Sequence, residues 1–197
     1  MDLKGTNVAN FKKNIGKQFT EMIACNILLQ MLTSIENVHK AGFIHRDIKP
    51  SNFVMGRAED SDRNVVYLVD FGLAKEHIDM QTGRVFPERK HTDFRGTIPY
   101  ASLSAHLKKE LGRKDDIWSL FFVVLEFFDQ PLPWKTNTNK DEVRDHKMQC
   151  FKKPNKMLYP LLYKTYPQIN TLFEYLQNLD YADEPDYGLF RRELLSV

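Results

Sequence analysis

The sequence predicts a mainly α-helical fold: a helical bundle around one buried central helix, with a small β-hairpin beside it. Three observations predict this. Phe19 to His39 carries apolar residues at spacings of three and four. Asp115 to Phe128 is apolar nearly all round, the pattern of a helix buried on most faces. Between them lie two short β-type runs, Phe53–Met55 and Val65–Val69, parted by the polar stretch Gly56 to Asn64.

Each element follows from its own residues. The first helix places Phe19, Met22, Ile23, Ile27, Leu28, Met31, Leu32, Ile35 and Val38 on one face, and Gly42 stands just past its end as a stop. The two β-type runs are close enough to pair as a hairpin. Asp70 to Ala101 has no clear period and reads as one long loop; loops of that length in compact domains are usually functional or disordered. The central helix ends before Pro131 and Pro133, since proline removes a donor and clashes with the preceding turn. The remainder reads as further helices joined by turns containing Pro154, Pro160, Pro167 and Pro185.

Composition excludes several classes. The chain has 197 residues, which allows one domain or one large lobe of a domain, and 42% hydrophobic with 27% charged residues is ordinary for a globular protein. A formal net charge of +2 gives no sign of a nucleic-acid or anionic-membrane partner. Two cysteines, Cys25 and Cys150, build no disulfide framework, and no Cys/His cluster points to zinc. Cys25 reads as a packing residue. The apolar run Ile117 to Phe128 is too short to span a bilayer. Met1 to Lys13 is mixed and polar, without a secretory signal. A reducing compartment, cytoplasmic with the nucleus as a second location, is expected.

Three local patterns carry chemistry, and their order matters more than any one alone. His45-Arg46-Asp47-Ile48-Lys49-Pro50-Ser51-Asn52 follows the long helix, Asp70-Phe71-Gly72 follows the second β-type run, and Gly96-Thr97 closes the long loop. Alone, Asp-Phe-Gly is a common turn sequence and His-Arg-Asp is equally uninformative. Together the first two fit the catalytic-loop and metal-binding signatures of protein kinases. Phosphoryl transfer needs mainly positioning and charge neutralisation. Asp47 would accept the proton of a substrate hydroxyl, and Lys49 would place a positive charge at the transferring phosphate. Asn52 offers a neutral carbonyl oxygen and Asp70 a carboxylate to Mg2+, which prefers oxygen donors and keeps several waters. A hairpin would bring these two ligands together although they are 18 positions apart. Arg46 reads as a structural or loop contact, Phe71 as a packing residue, and His39 and His106 as ordinary helix or surface histidines. Arg84, Arg89, Lys90 and Arg95 form an anion site or, with Glu88 and Asp93 among them, an exposed mixed-charge loop; the second reading is preferred.

The chain resembles the protein kinase family, within it the casein kinase I group, and most closely tau-tubulin kinase-like members. Arg46 to Phe53 with Met55-Gly56, and Asp70 to Lys75, are similar to that group's catalytic and metal-binding segments. Gly96-Thr97-Ile98-Pro99-Tyr100-Ala101-Ser102 stands where most kinases have Ala-Pro-Glu. Gly112 to Leu120, Leu132-Pro133-Trp134, Leu179-Asp180-Tyr181 and Pro185-Asp186-Tyr187 complete the pattern, so the resemblance covers essentially the whole chain.

The resemblance implies a kinase C-terminal lobe that uses ATP and Mg2+ on serine or threonine of protein substrates. Asp116 would start the central helix and hold the catalytic-loop backbone, and Thr97 would hydrogen-bond Asp47 and Lys49. Residues 1–5 look like a hinge, with Leu3 offering backbone groups to adenine. No Gly-x-Gly and no Val-Ala-x-Lys strand occurs in the 197 residues, so the phosphate-covering lobe is expected to lie upstream of Met1. Residues 1–197 are then a truncated form whose own activity is open. The alternative is a non-catalytic, pseudokinase-like binding module built on the same lobe. Pro99 stands where the group usually has an arginine that grips phosphorylated or acidic substrates, which sets primed-substrate preference aside.

Overall fold

The first helix forms where the sequence reading places only mixed polar residues. The computed structural model describes residues 5–57, 59–128, 132–152 and 166–197. In it the Asn7 side chain accepts the Asn10 N–H at 2.9 Å and caps α1 (Val8–Ile15), which buries Val8. Helix α2 (Glu21–Lys40) starts two residues later than its periodicity predicts, because the Thr20 hydroxyl takes the cap position and accepts the Ile23 N–H. Phe19 instead ends a short 3-10 turn and packs edge-on against Phe127, 5.1 Å between ring centres.

Six short strands follow: β1 (Phe43–Ile44), β2 (Phe53–Met55), β3 (Val66–Leu68), β4 (Lys75–Glu76), β5 (Ile78–Asp79) and β6 (Arg84–Val85). They form three antiparallel pairs, β1–β4, β2–β3 and β5–β6. The expected hairpin is β2–β3, with Phe53 opposite Leu68 and Met55 opposite Val66. The stretch from Asp70 to Ala101 is more ordered than its lack of period predicts. Asp79 accepts the Gln81 and Thr82 N–H groups, Gly83 takes a φ of 70°, and this turn closes the β5–β6 hairpin.

Then come α3 (Leu103–His106), α4 (Arg113–Phe128), α5 (Lys140–Lys152), α6 (Pro167–Gln177) and α7 (Tyr187–Leu195). Pro167 opens α6 rather than lying in a turn, since its missing N–H costs nothing in a first helical turn. Pro131, Pro154 and Pro160 lie outside the described residues. Helix α4 buries Ile117, Trp118 and every residue from Leu120 to Leu125, so it is the central helix the sequence predicts. Trp118 stacks on Phe151 of α5 at 4.8 Å and meets Phe173 of α6 at 5.7 Å, while Phe122 packs edge-on against Trp134 at 5.7 Å. Among the described residues no helix is long and apolar enough to cross a membrane.

Two expectations need correction. His39 and His106 are buried rather than ordinary helix or surface histidines, because each has polar partners inside the core. Cys25 is only half-buried, its thiol donating to the Leu194 carbonyl at 3.3 Å. The mixed-charge reading of the long loop holds: Arg84, Arg89, Lys90 and Arg95 are all exposed, and Arg95 pairs with Asp93 at 3.6 Å. Arg89 grips Glu110, whose side chain is 1% exposed and is also held by Lys75 at 3.0 Å. This bridge ties two points of the loop, one near its start and one in its later half, to the segment just before α4.

Burial acts to raise the Glu110 carboxyl, but its bonds to Arg89 and Lys75 overcome it and bring its pKa from an ordinary 4.5 to about 2. A carboxyl depressed in the folded state adds stability that is fully present above its unfolded value and is lost as pH falls through the folded one. The bridge therefore stabilises the fold above pH 4.5 and fades toward pH 2. Thermal denaturation followed by circular dichroism should show a shallower acid limb for Glu110→Gln than for wild type across that window. Parallel curves would remove the bridge from the account.

Candidate active site

Four of the residues singled out from the sequence meet around one carboxylate. Asp47 Oδ1 accepts from the Thr97 hydroxyl at 2.7 Å, and Oδ2 accepts from Lys49 Nζ at 2.7 Å and from the Asn52 amide nitrogen at 3.2 Å. Lys49 Nζ also donates to Thr97 Oγ1 at 2.9 Å. Asp47 is buried, and its carboxylate has about four lone-pair directions, of which these three bonds leave one on Oδ1. A hydroxyl arriving beside Thr97 can donate there.

The hairpin brings in the fifth residue. The Val69 N–H donates to the Asn52 carbonyl at 2.9 Å, which extends the β2–β3 ladder by one bond and sets Asp70 next to Asn52. Asn52 spends its amide nitrogen on the Asp47 backbone and side chain, so its carbonyl oxygen is the end left for a cation. Asp70 is exposed, and its side chain accepts a long bond from the Gly72 N–H at 3.4 Å. The described residues hold no group of three or more His, Cys, Asp or Glu side chains suited to a metal. A carboxylate and an amide oxygen on facing loops suit a cation that keeps most of its water, which Mg2+ does. Leu3 lies outside the described residues. The chain just after it pairs with the hairpin: Gly5 N–H donates to Met55 at 2.9 Å, and Met55 N–H to Thr6 at 3.0 Å.

Backbone strain concentrates here. Arg46 and Asp70 have φ of 67° and 65°, positions that cost a non-glycine residue about 1–3 kcal/mol and persist only where neighbours enforce them. Asp116, in the first turn of α4, supplies the enforcement at Arg46: its carboxylate accepts the His45 N–H at 2.7 Å and the Arg46 N–H at 2.8 Å. The Arg46 guanidinium turns away from Asp47 and donates to the Leu73 carbonyl at 2.6 Å, a loop contact as the sequence reading has it. Gly96 has a φ of 102°, and a Cβ there would lie 2.9 Å from the Arg46 carbonyl. Only glycine lets the end of the long loop come this close. Phe71 is half-exposed and meets the His45 ring edge-on at 5.1 Å.

Sequence reasoning missed three residues that hold the site. His39 donates or accepts at both ring nitrogens, to Asp116 Oδ2 at 2.9 Å and Tyr187 Oη at 2.7 Å. Glu110 carries the bridge described above. Lys147 lies wholly buried beneath residues 98–101. No local signal marks any of them, since their partners are far away in sequence. Beside the site a cavity of about 480 Å3 is lined by Arg46, Lys75, Arg89 and Arg95, with Asp93 on its rim.

The family model described as "Protein kinase domain" matches residues 3–185. A probable serine/threonine-protein kinase of Dictyostelium discoideum is 39% identical over 197 residues, all of this chain and 38% of that protein. A casein kinase I homologue of Kluyveromyces lactis (RAG8) is 34% identical and casein kinase I homologue 2 of Saccharomyces cerevisiae 33%, each over all of this chain and covering 37% and 36% of those proteins. The chain thus spans less than two fifths of the length of these curated relatives. With the match to the domain model and identities above 30% over every residue, the chain belongs to the protein kinase family.

Proposed function

We propose that this chain is the larger, C-terminal lobe of a serine/threonine-protein kinase of the casein kinase I group, an enzyme that transfers the γ-phosphoryl group of ATP to serine or threonine of protein substrates. The observation that carries the reading is the set of bonds around Asp47, with Asp70 set next to Asn52 by the hairpin. The resemblance of Arg46–Phe53 and of Gly96–Ser102 to tau-tubulin kinase-like members supports a place in that subgroup, and similarity to a probable serine/threonine-protein kinase supports that specificity.

Each residue has one task. Asp47 takes the proton of the acceptor hydroxyl on the open side of Oδ1. Thr97 orients that oxygen, and its bond to Lys49 keeps the ammonium beside the acceptor, where charge builds on the transferring group. Asp70 and the Asn52 carbonyl oxygen hold Mg2+, which supplies charge neutralisation to the phosphates when bound. Leu3, in the hinge-like segment 1–5, offers backbone groups to adenine. A cytoplasmic location fits this activity.

In the full-length protein, Asp47→Asn should keep the fold and lower turnover by roughly 10² to 10⁴-fold, the worth of a positioned base. Steady-state transfer from Mg-ATP to a serine peptide decides it. Equal turnover by wild type and variant would take Asp47 out of the mechanism, and no transfer by wild type would favour a binding module.

Pro99 sits two residues past Thr97 with its carbonyl accepting Trp134 Nε1 at 2.8 Å. It carries no charge and no N–H, so it cannot grip a phosphate as a guanidinium does. Pro99→Arg should raise the ratio of kcat/KM for a phosphorylated peptide over its unmodified counterpart. An unchanged ratio would count against Pro99 as the reason for a relaxed preference.

A further inference from the structure

Among the described residues Lys147 of α5 is the only buried lysine, with no exposed surface. No carboxylate of the described residues forms an ion pair with it. Its Nζ donates to the Ala101 carbonyl at 2.6 Å and to the Ile98 carbonyl at 3.1 Å. It also sits 4.5 Å from the ring centre of Phe122 and 5.2 Å from that of Trp134. Burying an amine without a counter-ion is costly, and a methionine would fill the same space without that cost. Filling space does not explain a lysine here. The two carbonyls it holds do.

Those carbonyls belong to the loop that continues from Thr97. Trp134 Nε1 donates to the Pro99 carbonyl at 2.8 Å, and His106 Nε2 lies 3.3 Å from both the Ile98 oxygen and Lys147 Nζ. The Tyr100 and Ala101 N–H groups both turn back to the Thr97 carbonyl at 2.9 Å. Pro99 has no N–H. The carbonyls of residues 98, 99 and 101 are thus tied down by side chains beneath them, and the loop's N–H groups from residue 99 to 101 are absent or spent internally. Thr97 itself bonds Asp47 and Lys49, so Ile98 and Pro99 adjoin the point at which a peptide hydroxyl would reach Asp47.

We infer that Lys147 is a positioning residue for the peptide substrate: from inside the lobe it fixes the backbone of residues 98–101, so that the peptide meets a rigid apolar ledge made by Ile98 and Pro99. This rests on the proposed kinase reading for its functional half and on geometry alone for its structural half. The ledge's carbonyls at residues 98 and 99 are bonded from beneath, and Pro99 has no N–H to offer. The peptide residue lying on it is therefore read by apolar contact and shape, while Asp47, Lys49 and Thr97 handle the acceptor hydroxyl. Loosening the ledge should weaken peptide binding and leave ATP use unchanged.

Lys147→Met keeps the stem and deletes the donors. Two measurements test it. Amide hydrogen exchange, which needs no activity, should quicken about tenfold at Tyr100 and Ala101 and stay unchanged in the α2 core. In the full-length protein, KM for a serine peptide should rise about tenfold while KM for ATP stays within about twofold. Unchanged exchange at Tyr100 and Ala101 overturns the inference, as does a loss of kcat with both KM values unaltered. If Lys147→Met does not fold by circular dichroism, Trp134→Phe, which removes the donor to Pro99 and part of the ring surface against Lys147, takes its place. Faster exchange at the same two amides then supports the inference, and wild-type exchange overturns it. Absence of Asp47-dependent transfer from wild type would sink the kinase reading, while the exchange result would still decide whether Lys147 holds the loop.

Discussion

The carboxylate of Asp116 is the contact on which the rest of the site depends. It is buried at the start of the central helix, and it accepts from the His45 N–H, the Arg46 N–H and His39 Nε2 at 2.7 to 2.9 Å. Through His39 it reaches the Tyr187 hydroxyl. One side chain so joins α2, the loop that carries Asp47, α4 and α7. Burial opposes ionisation of Asp116, yet the bonds from His39 and the His45 N–H hold its pKa below the ordinary carboxylate value. The start of a long helix also favours a negative charge. Because two successive N–H groups point at this one acceptor, Arg46 is driven to a positive φ, and Asp47 is turned toward Lys49 and Thr97.

The same device recurs at the other two loops of the site. Glu110, buried, holds Lys75 and Arg89 and so fixes the long loop between Asp70 and Thr97. Lys147, buried, holds the carbonyls of the segment just after Thr97. Buried polar and charged groups are a poor means of adding stability but a good means of selecting one arrangement, since any other leaves them unpaired. The loop that carries Asp47 and the end of the long loop at Thr97 meet within hydrogen-bond distance, and the chain on either side of that meeting point is anchored from the core by such groups.

The parts of this fold that were legible in the sequence are those where one period or one motif suffices. Phe19 to His39 and Asp115 to Phe128 betrayed their helices by apolar spacing, and Phe53–Met55 with Val65–Val69 betrayed the hairpin. The order of His45–Asn52, Asp70–Gly72 and Gly96-Thr97 pointed to residues that the fold does bring together. Helix α1 was hidden because its apolar face, Val8, Phe11 and Ile15, is set among lysines and asparagines; the Asn7 cap was its one local sign. The β5–β6 hairpin was hidden by its brevity, although Asp79, Thr82 and Gly83 are turn residues. His39 and Lys147 were misjudged or passed over for a different reason. A polar residue on a helix reads as exposed until its partner is known, and those partners lie 77 residues away for His39 and 46 to 49 away for Lys147.

Amide hydrogen exchange on Asp116→Asn tests most directly whether this carboxylate sets the catalytic loop. Asparagine keeps the size but replaces one acceptor oxygen by a donor, which then faces an N–H. The His45 and Arg46 amides should exchange at least about tenfold faster, the scale of a lost hydrogen bond to a charged group, with the α2 amides around Leu28 and Met31 unchanged. Wild-type exchange at His45 and Arg46, or an equal acceleration along the whole chain, would contradict the account.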